Sequence, residues 1–184
     1  TLQALAVLVE RAPDGPALGV VPTSVEENWE RETRLFAPCA LRPHRWRDEG
    51  RQAPPESFGP GDLVIVSYGI LLRDAERLGR TRWHTAVYDE AHVLKNDRAR
   101  KARAAHGLAA DWKLALTGTP IENRLAELWG LFRLLGPDLF GGWKSFSERF
   151  VGPIEGERDD AQRRLLGRLL RPFLLRRRKE EVLP

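Results

Sequence analysis

Residues 83–96 read WHTAVYDEAHVLKN, and the fold turns on this stretch. Ala86, Val87 and Tyr88 form a short apolar run with no polar alternation, the pattern of a parallel strand buried on both faces. Asp89 and Glu90 follow at once. Two adjacent carboxylates are therefore predicted at the C-terminal end of a buried strand, which in an open α/β sheet is the rim where ligands bind. An aspartate there can hold a magnesium ion through its water shell, and a glutamate one residue on can reach a water placed to attack a γ-phosphate. Asp89 and Glu90 are thus the candidate catalytic pair, with Asp89 the candidate metal ligand.

This is the Walker B arrangement, and Ala91 and His92 complete a D-E-A-H box. A polar turn at a strand end is the plain alternative, so the neighbouring segments decide. Upstream, Leu18–Val21 is a second short buried strand, ending at Pro22-Thr23-Ser24. Ser24 and Glu27 make an S-x-x-E pattern that predicts a capping box on the helix containing Trp29 and Leu35. Thr23, Ser24 and the amides at that helix start are candidates to receive a nucleic-acid phosphate, which the helix dipole favours. Asp62–Ser67 (DLVIVS) repeats the buried-strand pattern, with Ser67 and Tyr68 at its tip and a helix expected to carry Leu71, Leu72, Ala75 and Leu78.

Downstream, residues 97–108 are predicted as a helix whose polar side carries Arg98, Arg100, Lys101 and Arg103, read as a solvated basic face. Lys113–Leu116 is the next strand, ending in Thr117-Gly118-Thr119-Pro120. Its two hydroxyls and small glycine allow close approach to His92, where a hydrogen bond could sense a nucleotide. At the start of the chain, Leu2, Leu5, Ala6, Leu8 and Val9 share one helical face, with Thr1 at the helix N-terminus. A threonine in that place is what a phosphate-binding loop ending G-K-T leaves behind when it is cut after its lysine.

Composition sets the frame. With 184 residues, 42% hydrophobic and 30% charged, the chain can bury one proper core, as a domain with a helical appendage. No apolar run is long enough to span a bilayer, and the absence of methionine reads as a piece of a longer protein. One cysteine, Cys39, excludes an internal disulfide and a cysteine metal cluster and fits a reducing cytoplasm or nucleus. The net charge of +4 and pI near 9.6 fit a nucleic-acid partner. Twenty-five arginines stand against five lysines, a bias that suits phosphate recognition and that a GC-rich genome also produces. Residues 37–62 are proline-rich and read as a surface loop, with an edge strand near Ala40–Trp46 because Pro43 bars a central one. Three apolar-periodic segments follow residue 124, and Arg176–Lys179 form a basic cluster.

Strands that alternate with helices, each ending in a short polar motif, predict a doubly wound parallel sheet with its functional groups on one edge. In order, VVPTSVEENWERE, VIVSYGILLRD, VYDEAHVLKN, LALTGTPIENRLAELWGLFRLLGPDLFG and LLRPFLLRRRKEEVLP resemble motifs Ia, Ib, II and III and the distal block of the Swi/Snf-type helicase-like ATPases of helicase superfamily two. Lys95-Asn96 and Ile121-Glu122-Asn123 separate that family from ordinary RNA helicases.

The resemblance implies a RecA-like (P-loop NTPase) doubly wound parallel sheet flanked by helices. Residues 1–136 would be a first lobe lacking its P-loop strand, and residues 137–184 a helical extension toward a second RecA-like lobe of the same parent chain. It also implies ATP and Mg2+ as cofactors and double-stranded DNA as the track of a motor that remodels bound proteins, with no membrane. By matching position, Asp89 would hold magnesium, Glu90 would activate water and Thr1 would offer its hydroxyl to the metal. Thr23, Ser24, Ser67 and Tyr68 would face DNA, while His92, Thr117, Gly118 and Thr119 would couple the two sites. The missing P-loop strand is expected near the middle of the sheet. A DEAH-type RNA helicase lobe and a non-catalytic scaffold that binds DNA or protein are the rival readings.

Overall fold

The run at residues 86–88 lies in a strand whose last three residues, Ala86, Val87 and Tyr88, are wholly buried, as a parallel strand covered on both faces must be. The computed structural model describes residues 1–46, 57–95, 100–118, 124–136 and 139–175. It divides into two compact units, Thr1–Leu139 and Phe140–Pro184.

In the first unit the strands are β1 (Ala17–Val21), β2 (Arg42–Arg45), β3 (Asp62–Ser67), β4 (Trp83–Tyr88) and β5 (Ala110–Ala115). They pair in the order β2-β3-β1-β4-β5, every neighbour parallel. Pro43 sits in β2 at an edge, where its missing N–H does least harm. The expectation of a gap in mid-sheet is corrected: the five strands pair without interruption, so a further strand could add only at an edge.

Side-chain alternation splits the apolar residues into two cores. On one face Leu18, Val20, Val64, Val66, Ala86 and Tyr88 pack with α3 (Tyr68–Arg73), α4 (Ala75–Leu78), α5 (Arg100–His106) and α6 (Leu125–Leu135) through Leu71, Leu78, Ala102 and Leu131. On the other face Ala17, Val21, Leu63, Ile65 and Val87 pack with α1 (Leu2–Arg11) and α2 (Glu26–Phe36) through Leu5, Leu8 and Trp29. Helices therefore cover both faces of a parallel sheet, as the doubly wound pattern requires.

Several local expectations change. The buried stripe of α1 is Ala4, Leu5 and Leu8, whereas Leu2 and Val9 are exposed. The Ser24–Glu27 capping box is not formed: after Pro22 the chain makes a 3-10 turn over Thr23–Val25, closed by the Val25 N–H to the Pro22 carbonyl at 3.0 Å. Val25, with no side-chain cap, then opens α2, and the Ser24 hydroxyl is left exposed. The helix after Ser67 breaks at Asp74, whose carboxylate accepts from the Trp46 indole at 2.8 Å and from Arg73. The supposed surface loop before β3 also contributes to the core, since Leu41 and Trp46 are buried and Phe58 stacks near Trp46 and Trp83. Arg98, Asn96, Thr119, Pro120, Ile121–Asn123 and the basic cluster Arg176–Lys179 lie outside the described residues.

The second unit is helical. Its α7 (Trp143–Phe146) widens into π-type turns over Ser147–Gly156 that contain Pro153, where a single α-helical segment is expected from the sequence. Then α8 (Asp160–Leu170) is capped by Asp159, whose carboxylate accepts from the Ala161 and Gln162 amides. Phe140, Phe146 and Phe150 stack together as its core.

Candidate nucleotide site at the strand tips

Parallel pairing with aligned register sets the strand ends side by side. Val21 of β1 is level with Ser67 of β3, and Tyr88 of β4 is level with Val20 and with Ala115 of β5. The residues that follow, Pro22-Thr23-Ser24, Tyr68, Asp89-Glu90 and Leu116-Thr117-Gly118, therefore line one rim. Thr1 joins them by topology. Near the far end of β4, Arg11 of α1 donates from Nε to Thr85 Oγ1 at 2.9 Å, so the helix rises antiparallel to the strand and brings its start to the Asp89 end. Thr1 is exposed there.

Asp89 is held at every polar atom. Its N–H donates to the Val20 carbonyl at 2.8 Å, its carbonyl accepts from the Tyr68 hydroxyl at 2.7 Å, Oδ2 accepts from the Trp29 indole at 2.9 Å, and Oδ1 accepts from the Glu90 N–H at 3.0 Å. Each carboxylate oxygen has lone-pair capacity beyond its single donor, so it can also accept from an ion's water. Glu90 differs in every respect: it is exposed, sits at φ 49° and ψ 47° in the left-handed region, and touches His92 Nδ1 through Oε2 at 3.1 Å. The D-E-A-H turn is tied to the next strand end by the Ala91 N–H to the Leu116 carbonyl at 2.9 Å, one residue before Thr117. Lys95, just beyond, pairs with Glu127 of α6 at 3.1 Å.

The other sequence candidates divide. Thr23 and Ser24 are exposed at the start of α2. Ser67 and Tyr68 reach the rim but are buried: the Ser67 hydroxyl caps α3 by accepting from the Ile70 N–H at 3.3 Å, and the Tyr68 ring lies in the core. Tyr68 is therefore not the outward strand-tip group expected of it; burial and then the Asp89 carboxylate push its hydroxyl well above the ordinary range, which keeps it a donor. Trp29 is the residue the sequence reading missed. Its signal was a lone tryptophan on the buried stripe of α2, which shows burial but not where the indole N–H would find an acceptor.

The donor set can be tested against a metal. Among the described residues no cluster of three or more His, Cys, Asp or Glu could cage an ion. The Asp89 carboxylate is a hard-oxygen donor of the kind that fits magnesium, which keeps several of its own waters and takes few protein ligands.

The five-stranded parallel sheet with helices on both faces is a RecA-like fold. The chain belongs to the SNF2-related domain family, which matches it over residues 1–184. YwqA of Bacillus subtilis (strain 168) is 38% identical over 190 residues, taking in 98% of this chain and 20% of YwqA. The ATP-dependent DNA helicase DDM1 of Arabidopsis thaliana is 38% identical over 188 residues, covering 92% of this chain and 24% of DDM1. The SWI2/SNF2 ATPase core of Sulfolobus solfataricus in complex with dsDNA superposes with a TM-score of 0.82 at 32% identity, over 96% of this chain and 36% of that one. The chain thus spans about a fifth to a quarter of the length of these curated relatives. No described helix is long and apolar enough to cross a membrane.

Proposed function

We propose that in the intact protein this chain is the first ATPase lobe of a motor that hydrolyses ATP while tracking along double-stranded DNA, in the cytoplasm or nucleus, to remodel what is bound there. A second RecA-like lobe of the parent chain would complete the ATP site. The observation that carries the reading is the pairing at one rim of a fully restrained Asp89 with an exposed Glu90, level with the exposed hydroxyls of Thr23 and Ser24. Asp89 and the Thr1 hydroxyl would hold the magnesium, which would supply positive charge to offset that of the phosphates. Glu90 orients the attacking water and accepts its proton, and His92 keeps that carboxylate in place. Thr23, Ser24 and the first amides of α2 receive a DNA phosphate without reading sequence. His92 and residues 117–119 carry the nucleotide state toward the DNA face.

In the intact protein Glu90→Gln keeps the shape and removes the charge that polarises water. It should still bind Mg-ATP and duplex DNA while turnover falls roughly 10²-fold or more. Asp89→Asn should instead weaken magnesium-dependent nucleotide binding. Parental turnover in the Glu90→Gln protein would remove the motor reading, as would its absence in the parent. Stimulation of the parent by RNA or single strands rather than duplex DNA would turn the reading toward an RNA helicase.

A further inference from the structure

Asp89 is gripped from both faces of the sheet. Trp29, wholly buried in the core on the α1/α2 face, donates its indole N–H to the carboxylate at 2.9 Å. Tyr68, buried in the opposite core, donates its hydroxyl to the Asp89 carbonyl at 2.7 Å. Trp29 comes from the segment whose start is the proposed DNA face, and Tyr68 from the neighbouring strand tip. Trp29 is on α2, a turn and a half after Ser24, and Tyr68 begins α3 directly after Ser67.

Buried indoles and phenols always seek an acceptor, so the partner is the informative part. Trp83 uses the Leu78 carbonyl at 3.0 Å, an acceptor fixed within its own corner of the fold. Trp29 instead reaches 60 residues along the chain to the carboxylate itself. A shift of α2 on meeting a phosphate would thereby be passed through a rigid ring to Asp89, and a misplacement of about 1 Å at a reacting centre can cost about 10²-fold.

We infer that Trp29 is a positioning residue through which DNA on the start of α2 sets the geometry of the Asp89 carboxylate, against a backbone that Tyr68 holds from the other face. The inference rests on the motor reading and adds the route of its regulation. Coupling between sites is reciprocal and commonly changes affinity by about 5–150-fold, so nucleotide at Asp89 acts back on DNA along the same path.

The test uses the intact protein with Trp29→Phe, which replaces the indole by a smaller ring without a donor, and Tyr68→Phe, which keeps the ring and removes only the hydroxyl. The ratio of ATP turnover with saturating duplex DNA to turnover without it should fall about tenfold in both, with nucleotide-free DNA affinity within twofold of the parent. Independently of turnover, the Trp29 indole N–H resonance in tryptophan-15N-labelled protein, assigned by its loss in Trp29→Phe, should shift when duplex DNA is added without nucleotide. An unchanged ratio, equal losses with and without DNA, or an indole resonance that ignores DNA would each overturn the inference. Should Trp29→Phe fail to fold, the turnover ratio of Tyr68→Phe decides. Glu90→Gln tests the motor reading by itself, so the two failures are distinguishable.

Discussion

Replacing Glu90 by glycine should leave the fold more stable than replacing it by alanine, the reverse of their order inside a helix. Glu90 stands at φ 49°, ψ 47°, where any residue with a Cβ crowds the following carbonyl at a cost of roughly 1–2 kcal/mol. Both substitutions lose the same side-chain contact, the exposed pair with His92, which contributes little. Both keep the Glu90 N–H bond to Asp89 and the carbonyl that receives the Val93 N–H at 3.1 Å. Only glycine escapes the left-handed penalty, and its extra freedom in the unfolded chain takes back about 0.4–1 kcal/mol. The net is about 0.5–1 kcal/mol in favour of glycine, or a melting temperature higher by roughly 1–4 °C in a domain of this size. Side-by-side thermal melts of the intact protein carrying each substitution measure it, and neither variant should hydrolyse ATP. A glycine variant that melted several degrees below the alanine variant would refute the claim that the catalytic turn stores backbone strain for function.

The remaining predictions concern the start of β3, at the end of the sheet opposite the rim. Gly61 has φ 80°, and its N–H and carbonyl link the Ala12 carbonyl to the Arg42 N–H, both at 2.8 Å; a Cβ there would lie 3.1 Å from the Ala40 oxygen. Gly61→Ala should therefore destabilise by about 1–3 kcal/mol in a thermal melt, with a smaller loss counting against the assignment. Asp62 anchors the edge: burial alone would raise its pKa, but the Gly59 N–H, His44 and Arg42 outweigh this and hold it below its ordinary 3.8. Its contribution is thus fully present above about 3.8 and is lost as pH falls through the lower folded value. Hydrogen exchange of β2 and β3 amides, corrected for intrinsic rates, should lose protection across that window in the parent, and Asp62→Asn should flatten the dependence.

What was legible in the sequence follows from the range of the interactions involved. Strands buried on both faces leave unbroken apolar runs, so Asp62–Ser67 is bounded in the structure as its residues indicate, and the Asp-Glu pair falls at a strand tip. The edge placement of β2 followed from one missing N–H at Pro43. Patterns with two local solutions misled. S-x-x-E fits a capping box, but Pro22 commits the chain to a 3-10 turn that satisfies the Val25 N–H with backbone alone. Leu71 to Leu78 fit one helix, but Asp74 is drawn off by the Trp46 indole, a contact made across 28 residues. Tyr68 illustrates the limit. Its hydroxyl suits a rim and its ring suits a core, and only the fold shows that the ring goes inward while the hydroxyl serves Asp89.

The contrast between the two adjacent carboxylates is itself an argument for how the work is divided. Holding a metal calls for a ligand whose position does not depend on whether the metal is there, and Asp89 meets that with backbone and side chain both fixed from elements on either face of the sheet. A group that takes a proton from water must instead adjust as substrate arrives and product leaves. Under the proposed function Glu90 suits that role: it is exposed, with one side-chain contact to a histidine that is itself exposed. Exchanging the two, Asp89→Glu with Glu90→Asp, keeps the charge and should still abolish turnover. The longer side chain would break the indole bond, and the shorter one would fall short of the water.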